Sequence, residues 1–215
     1  AVAAIQSSGY PDISDTGERH DGQRCIFVSD DDGNKLEFTT ASGLKPSNRV
    51  VDALGYTTEA GTNVVTPSPS EIKISGINHV GLPINNRVDA MKMYRDLLNI
   101  KVIPHQIGGN TLTWTELADG SMVHVIDPPK SVGPRGDGRQ HVAFEVADIE
   151  STAEFLINAD IEIVEGIGTR HDEQQFLFVY DPDGNRIEIA TRGDHSETKR
   201  TADINGYTSE NGVLL

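Results

Sequence analysis

The chain has one cysteine, Cys25, in 215 residues, which removes an internal disulfide frame and makes a cysteine-built zinc site implausible. Basic charge is also short: 18 Lys and Arg stand against 33 Asp and Glu, a formal net charge of −15. Binding to a phosphate backbone depends on cations that neutralise phosphates, so the balance argues against a nucleic-acid partner and for a solvated acidic surface. No apolar run approaches the roughly 18 residues that a membrane span needs. The opening Ala-Val-Ala-Ala-Ile-Gln lacks the basic start and long apolar stretch of a secretory signal, and it lacks an initiator Met. These absences leave a soluble protein whose compartment is open, with the cytoplasm slightly favoured and a secreted, processed or partial chain still allowed. The length suits one sizeable domain, or one domain plus a fragment.

What the chain does have is repetition. At a spacing of 64 residues Leu112 meets Phe176, Trp114 meets Phe178, Asp119-Gly120 meets Asp183-Gly184, and His124 meets Glu188. At a spacing of 62, Asn78-His79-Val80 meets Gln140-His141-Val142. A second repeat has a longer period of 151 residues. It aligns Arg19–Glu37 with Arg170–Glu188 without a gap and continues through Asp52–Glu59 and Asp203–Glu210. Between Gly17 and Gly61 it gives 20 identities in 45 positions. The expected organisation is therefore a partial unit over residues 1–40 that lacks its first strand, a Ser-, Thr-, Pro- and Gly-rich linker over 41–72, a complete two-half unit over 73–193 (halves 73–128 and 138–193), and a linker or tail over 194–215. The recurring Gly-Tyr-Thr suggests that part of the linker docks on a neighbouring domain.

Within the complete unit each half reads as strand, helix and three strands, an α+β pattern. The first half offers a strand over Ile74–Pro83, a helix over Val88–Leu98 capped by Asn86 or Asn85, and strands over Lys101–Ile107, Thr111–Leu117 and Ser121–Ile126. The second offers Gln140–Val146, a helix over Ile149–Ala159 capped by Asp148, then Ile161–Glu165, Gln175–Tyr180 and Asn185–Thr191. Alternation puts Ile77, His79 and Gly81 on one face of their strand and Val80 and Leu82 on the other. By the same rule His124, His141 and Glu188 face away from the apolar sides that pack under the helices. If the two half-sheets curl towards each other, His79, His124, His141 and Glu188 meet around one divalent transition metal: zinc, nickel, iron or manganese. Three imidazoles and one carboxylate leave such an ion about one unit positive, which favours oxyanions on a substrate. His105, His171, His20 and His195 lack this symmetry and read as packing or surface residues. Glu37 takes the place of Glu188 in the partial unit and reads as a surface or orphaned carboxylate. Trp114, Glu116, Phe178 and Tyr180 continue the metal-side faces as pocket candidates, and Glu145 shares a face with His141 as a supporting group.

Asn78-His79-Val80, Gln140-His141-Val142, Met93-Tyr94-Arg95-Asp96-Leu97-Leu98 and Asp181-Pro-Asp-Gly-Asn-Arg-Ile-Glu188 together resemble the vicinal oxygen chelate superfamily of glyoxalases, bleomycin-resistance proteins and extradiol dioxygenases. The resemblance implies paired βαβββ modules that form a cup-shaped sheet around a metal, here preceded by a partial module of a tandem neighbour. In that family the ligands lie on the first and last strands of each module, which here means His79, His124, His141 and Glu188. Three functions follow as expectations. The first is a glyoxalase-like isomerase, lyase or epimerase acting on a small molecule with vicinal oxygens, the metal stabilising an enediolate and Glu188 acting as the base. The second is a non-catalytic binding or structural protein of tandem units. The third is an Fe(II) extradiol-type dioxygenase using His79, His141 and Glu188, a reading that gains if His124 only lines the pocket. Tandem neighbours or a homo-oligomer are the macromolecular partners left open.

Overall fold

The computed structural model describes residues 2–10, 12–19, 22–40, 49–51, 57–59, 72–127, 140–180, 184, 186–194 and 199–215. Most of the expected linker, the loop over 128–139, most of the turn over 181–185, and His20 and His195 lie outside the described residues. The chain divides into two compact units, Ala1–Ser70 and Glu71–Leu215. No described helix is long and apolar enough to cross a membrane.

The first unit holds helix α1 (Val2–Gln6), a sheet of β1 (Gly17–Glu18), β2 (Arg24–Ser29) and β3 (Lys35–Thr39), and a separate hairpin of β4 (Arg49–Val51) and β5 (Thr57–Glu59). Asp30 closes the turn between β2 and β3, its Oδ1 accepting from the Asn34 N–H at 2.8 Å, and Gly33 supplies the positive φ of +81°. Ile26 and Val28 alternate inward and are fully buried.

The second unit is organised by one eight-stranded sheet in the order β11-β12-β13-β10-β6-β9-β8-β7. Its first half runs β6 (Ile74–Pro83), α2 (Arg87–Met91), a π-helical turn (Lys92–Leu97), β7 (Lys101–Ile103), β8 (Leu112–Glu116) and β9 (Met122–Ile126). The second half runs β10 (His141–Val146), α3 (Ile149–Asn158), β11 (Ile163–Thr169), β12 (Gln175–Tyr180) and β13 (Arg186–Ala190). In each half the last strand returns parallel to the first, β9 on β6 and β13 on β10, and the two first strands pair antiparallel in the middle. This is the paired βαβββ arrangement that the repeats imply.

Helix starts follow the expected chemistry. Asn86 accepts from the N–H groups of Val88 and Asp89, and Asp148 from that of Ser151. The helix expected over Val88–Leu98 departs from regular α winding. The Leu98 N–H bonds the Met93 carbonyl five residues back, so the winding widens after Met91. Met93 is buried as a result, and Val88 is left 46% exposed. Under α3, Ile149, Ala153 and Leu156 pack on Leu177, Val179 and Ile189 from the sheet. Each of these side chains except Ala153 contributes about 1.5–3 kcal/mol by its removal from water. Helix packing takes up this face of the second half, which leaves the opposite face for the site.

The C-terminal stretch is more than a linker. β14 (Arg200–Ala202), β15 (Thr208–Glu210) and β16 (Val213–Leu214) form a sheet that docks on the first half. Arg200 donates to the carbonyls of His105 and Ile107, Asn110 bonds the Thr208 main chain in both directions, and Arg87 lies 4.2 Å over the Tyr207 ring. Gly206-Tyr207-Thr208 therefore docks within the second unit, while Gly55 and Tyr56 of the linker lie outside the described residues. The 151-residue repeat extends to strand register, since Arg49 pairs with Glu59 as Arg200 pairs with Glu210.

Gly206 has φ +80°, and a Cβ there would sit 2.2 Å from the Thr113 side chain. Gly206→Ala is expected to lower unfolding free energy by at least the ~1–2 kcal/mol of left-handed strain, read by urea denaturation. An unchanged midpoint would mean that the tail is not docked as described.

Candidate metal centre

A bulge in β6 builds the first ligand. Ala143 stands opposite His79 and Phe144 opposite Ile77, so Asn78 is an extra residue in the ladder. Strict alternation would turn Asn78 away from the site and keep Ile77 with His79. Instead Asn78 and His79 are both buried, at 4% and 0% exposure, while Ile77 is 47% exposed. The Asn78 Oδ1 lies 2.9 Å from His79 Nδ1. Its amide nitrogen faces Glu145 Oε2 at 3.4 Å, and Gln174 Nε2 approaches Oδ1 at 3.4 Å. A carboxylate only accepts, so Glu145 fixes which end of the amide meets the imidazole. His79 then donates its Nδ1 proton to Asn78 and keeps a lone pair on Nε2.

That lone pair points at other electron-rich atoms. His79 Nε2 is 3.1 Å from His141 Nε2 and 3.2 Å from Glu188 Oε2, and His141 Nε2 is 3.5 Å from the same oxygen. The three donor atoms lie within 4.8 Å of one another. The register explains the convergence. His141 stands opposite Gly81 across the central pair, and Glu188 sits beside Ala143 on the neighbouring strand. Two imidazole nitrogens and a carboxylate oxygen packed this closely are a donor set for a divalent transition metal, and the residues fit the ion that the sequence implies.

Burial lowers the pKa of His79 below its usual 6.5 and holds it neutral. Burial alone would raise the Glu188 carboxyl, but His141, His79 and the Arg170 charge outweigh it, so the group stays well below its usual range. Arg170 Nη1 lies 2.9 Å from Glu188 Oε1. The N–H groups are not aligned on that oxygen, which counts no hydrogen-bond partner, so charge rather than a directed bond joins the pair.

His124 does not converge with the other three. Its ring stacks on His79 at 3.8 Å between centroids and on Trp114 at 4.6 Å, the latter pair only 3° from parallel. Its Nε2 is buried with no hydrogen-bond partner among the described residues. Burial, then the neighbouring His79, press its pKa well below 6.5, so it is neutral. All four of these residues line one cavity of about 250 Å³, together with Trp114 and Phe178. Arg170 and Arg186 also face it. Glu116 pairs with Lys101 at 2.7 Å away from this cavity, Tyr180 does not line it, and Glu145 acts behind Asn78. The sequence reading missed Arg170, Arg186 and Asn78. Arg186 shares the face of Glu188 by alternation, and Arg170 belongs to the repeated Arg-His-Asp motif, so both were open to being found. The Asn78 bulge leaves no mark in the pattern.

His79, His124 and also His105 are held neutral by burial. A histidine whose folded pKa is depressed stabilises fully above its unfolded pKa, and the stability is lost as pH falls towards the folded value. Metal-free protein is therefore expected to show a falling thermal midpoint as pH drops below about 6.5. A midpoint flat between pH 7.5 and 5 would show that these imidazoles are not buried.

The sequence profile of the Glyoxalase/Bleomycin resistance protein/Dioxygenase superfamily matches residues 76–189. A metallothiol transferase FosB from Staphylococcus haemolyticus (strain JCSC1435) is 24% identical over 123 residues, 55% of this chain and 84% of that protein. Among solved structures, the Mn(II)-bound glyoxalase from Novosphingobium aromaticivorans superposes with a TM-score of 0.62 at 18% identity, over 89% of this chain and 57% of that one. The 2,3-dioxygenase LapB from Pseudomonas sp. KL28 gives 0.58 at 16% identity, over 90% and 67%. These likenesses concern the fold, and the profile covers more than half of the sequence. With the βαβββ halves paired and the His-His-Glu cluster between them, the chain belongs to the glyoxalase/bleomycin resistance protein/dioxygenase superfamily.

Proposed function

We propose that the chain is a metal-dependent enzyme in which His79, His141 and Glu188 hold one divalent transition metal, and that it acts as an extradiol-type dioxygenase on a small molecule with two adjacent oxygens. The observation behind this reading is the ligand count: three donor atoms converge and His124 stands apart in a stack. Three ligands on one side leave room for a two-oxygen substrate and for dioxygen, which four would not. Bound there, iron(II) would supply Lewis-acid charge and a site for dioxygen.

The chain's own groups suit the rest. His124 lines the cavity and its Nε2 has no hydrogen-bond partner among the described residues, so that atom is placed to take a proton from a substrate hydroxyl. Leu112, Trp114, Ile126 and Phe178 form apolar walls that exclude water and fit a flat ring. The isomerase or lyase reading needs a free base. Glu188 serves it poorly, because one oxygen faces Arg170 and the other faces the imidazoles.

Metal analysis with oxygen-electrode measurements on catechol as probe tests the reading. About one iron per chain and oxygen uptake matching catechol loss are expected. Stoichiometric nickel or zinc without oxygen uptake would move the protein to the isomerase class, and a site that takes no metal would make it a binding or structural protein. His124→Gln should keep its metal while turnover falls about 10²–10⁴-fold, the usual worth of a general base. Loss of metal in that variant would return His124 to the ligand set.

A further inference from the structure

A carboxylate beside a metal can bind through one oxygen or both, and what holds the second oxygen decides which. The two oxygens of Glu188 have different neighbours. Oε2 faces His79 and His141 at 3.2 and 3.5 Å, whereas Oε1 faces Arg170 at 2.9 Å. Arg170 is itself held in place. Its guanidinium donates to the Gln174 Oε1 and lies 4.3 Å over the Phe176 ring. Its main chain closes a tight turn, Arg170 N–H to Gln174 carbonyl at 2.9 Å and Glu173 N–H to Arg170 carbonyl at 3.0 Å.

The first unit carries the same assembly 151 residues earlier. Arg19 pairs with Glu37 Oε1 at 2.5 Å and donates to the Gln23 Oε1, and its turn repeats both main-chain bonds at 2.8 and 2.9 Å. No imidazole pair accompanies Glu37 among the described residues. The clamp therefore comes from the turn and the strands it joins, and it is in place whether or not a metal site stands beside it.

We propose that Arg170 is the positioning residue of the metal carboxylate: it occupies Oε1 of Glu188, so that Oε2 alone faces the ion and the remaining positions stay open to substrate. This rests on the metal site proposed above. A bidentate Glu188 would take one of the positions that a two-oxygen substrate needs.

Mn(II) is the probe, with the full chain freed of metal and then titrated. In Arg170→Gln the dissociation constant is expected to rise about 10–100-fold, the usual cost of losing a partner behind a ligand. The electron paramagnetic resonance spectrum of bound Mn(II) should change, with unaltered far-ultraviolet circular dichroism. Arg170→Lys, which keeps the charge without the fork, should recover part of the affinity. Arg19→Gln breaks the matching clamp in the first unit and should leave Mn(II) binding unchanged. Binding by Arg170→Gln within twofold of the parent, or tighter, with the same spectrum would overturn the proposal while leaving the metal site intact. If Arg170→Gln fails to fold, Phe176→Leu removes the ring beneath the guanidinium and should shift affinity and spectrum in the same direction; no shift there overturns the proposal. A parent chain that binds Mn(II) no better than His79→Ala would sink the metal reading and this inference together.

Discussion

β6 and β10 run antiparallel down the middle of the large sheet, and their register controls the chemistry on its open face. His141 stands opposite Gly81, which has no side chain to fill the space between the histidines. Ala143, opposite His79, is nearly as small. Two imidazoles from different halves can then meet at 3.1 Å. A slip of β6 by one residue would turn His79 towards the helices while His141 stayed on the hollow side, because side chains alternate along a strand. Packing resists that slip on the β10 side, where Val146 is buried in the cluster under α3.

Charge at the centre is settled by partners behind the ligands. Arg192 approaches Glu145 at 3.1 Å, Glu145 orients Asn78, and Asn78 takes the His79 proton on the side away from the site. Arg170 offsets the Glu188 charge from the other direction. Rigid strands and a buried stack of Trp114, His124 and His79 hold the groups in place.

Much of this could be read from the residues alone. The duplicated spacing of His79, His124, His141 and Glu188 gave the halves, their strand order and the shared face, because a period of two carries through a sheet. Trp114 and Phe178 reached the cavity by the same logic. The failures are local departures from regular geometry. The Asn78 bulge, the π-helical turn after Met91 and the docking of residues 200–210 each depend on contacts between distant parts of the sequence. His124 lies on the expected strand and face, and its ring stacks between Trp114 and His79, a contact that the strand period alone does not specify.

Arg19 and Glu37 give the 151-residue repeat a wider meaning. A salt bridge and its turn recur in a segment where, among the described residues, no histidine stands beside the acid. The acid keeps a counter-ion in both copies, Arg19 at the turn after β1 for Glu37 on β3 and Arg170 at the turn after β11 for Glu188 on β13. The recurring Asp-Gly-Asn and Glu motif marks this turn and its clamp, and by itself says nothing about a metal centre. The histidines on the opening strands are the part of the pattern that reports chemistry.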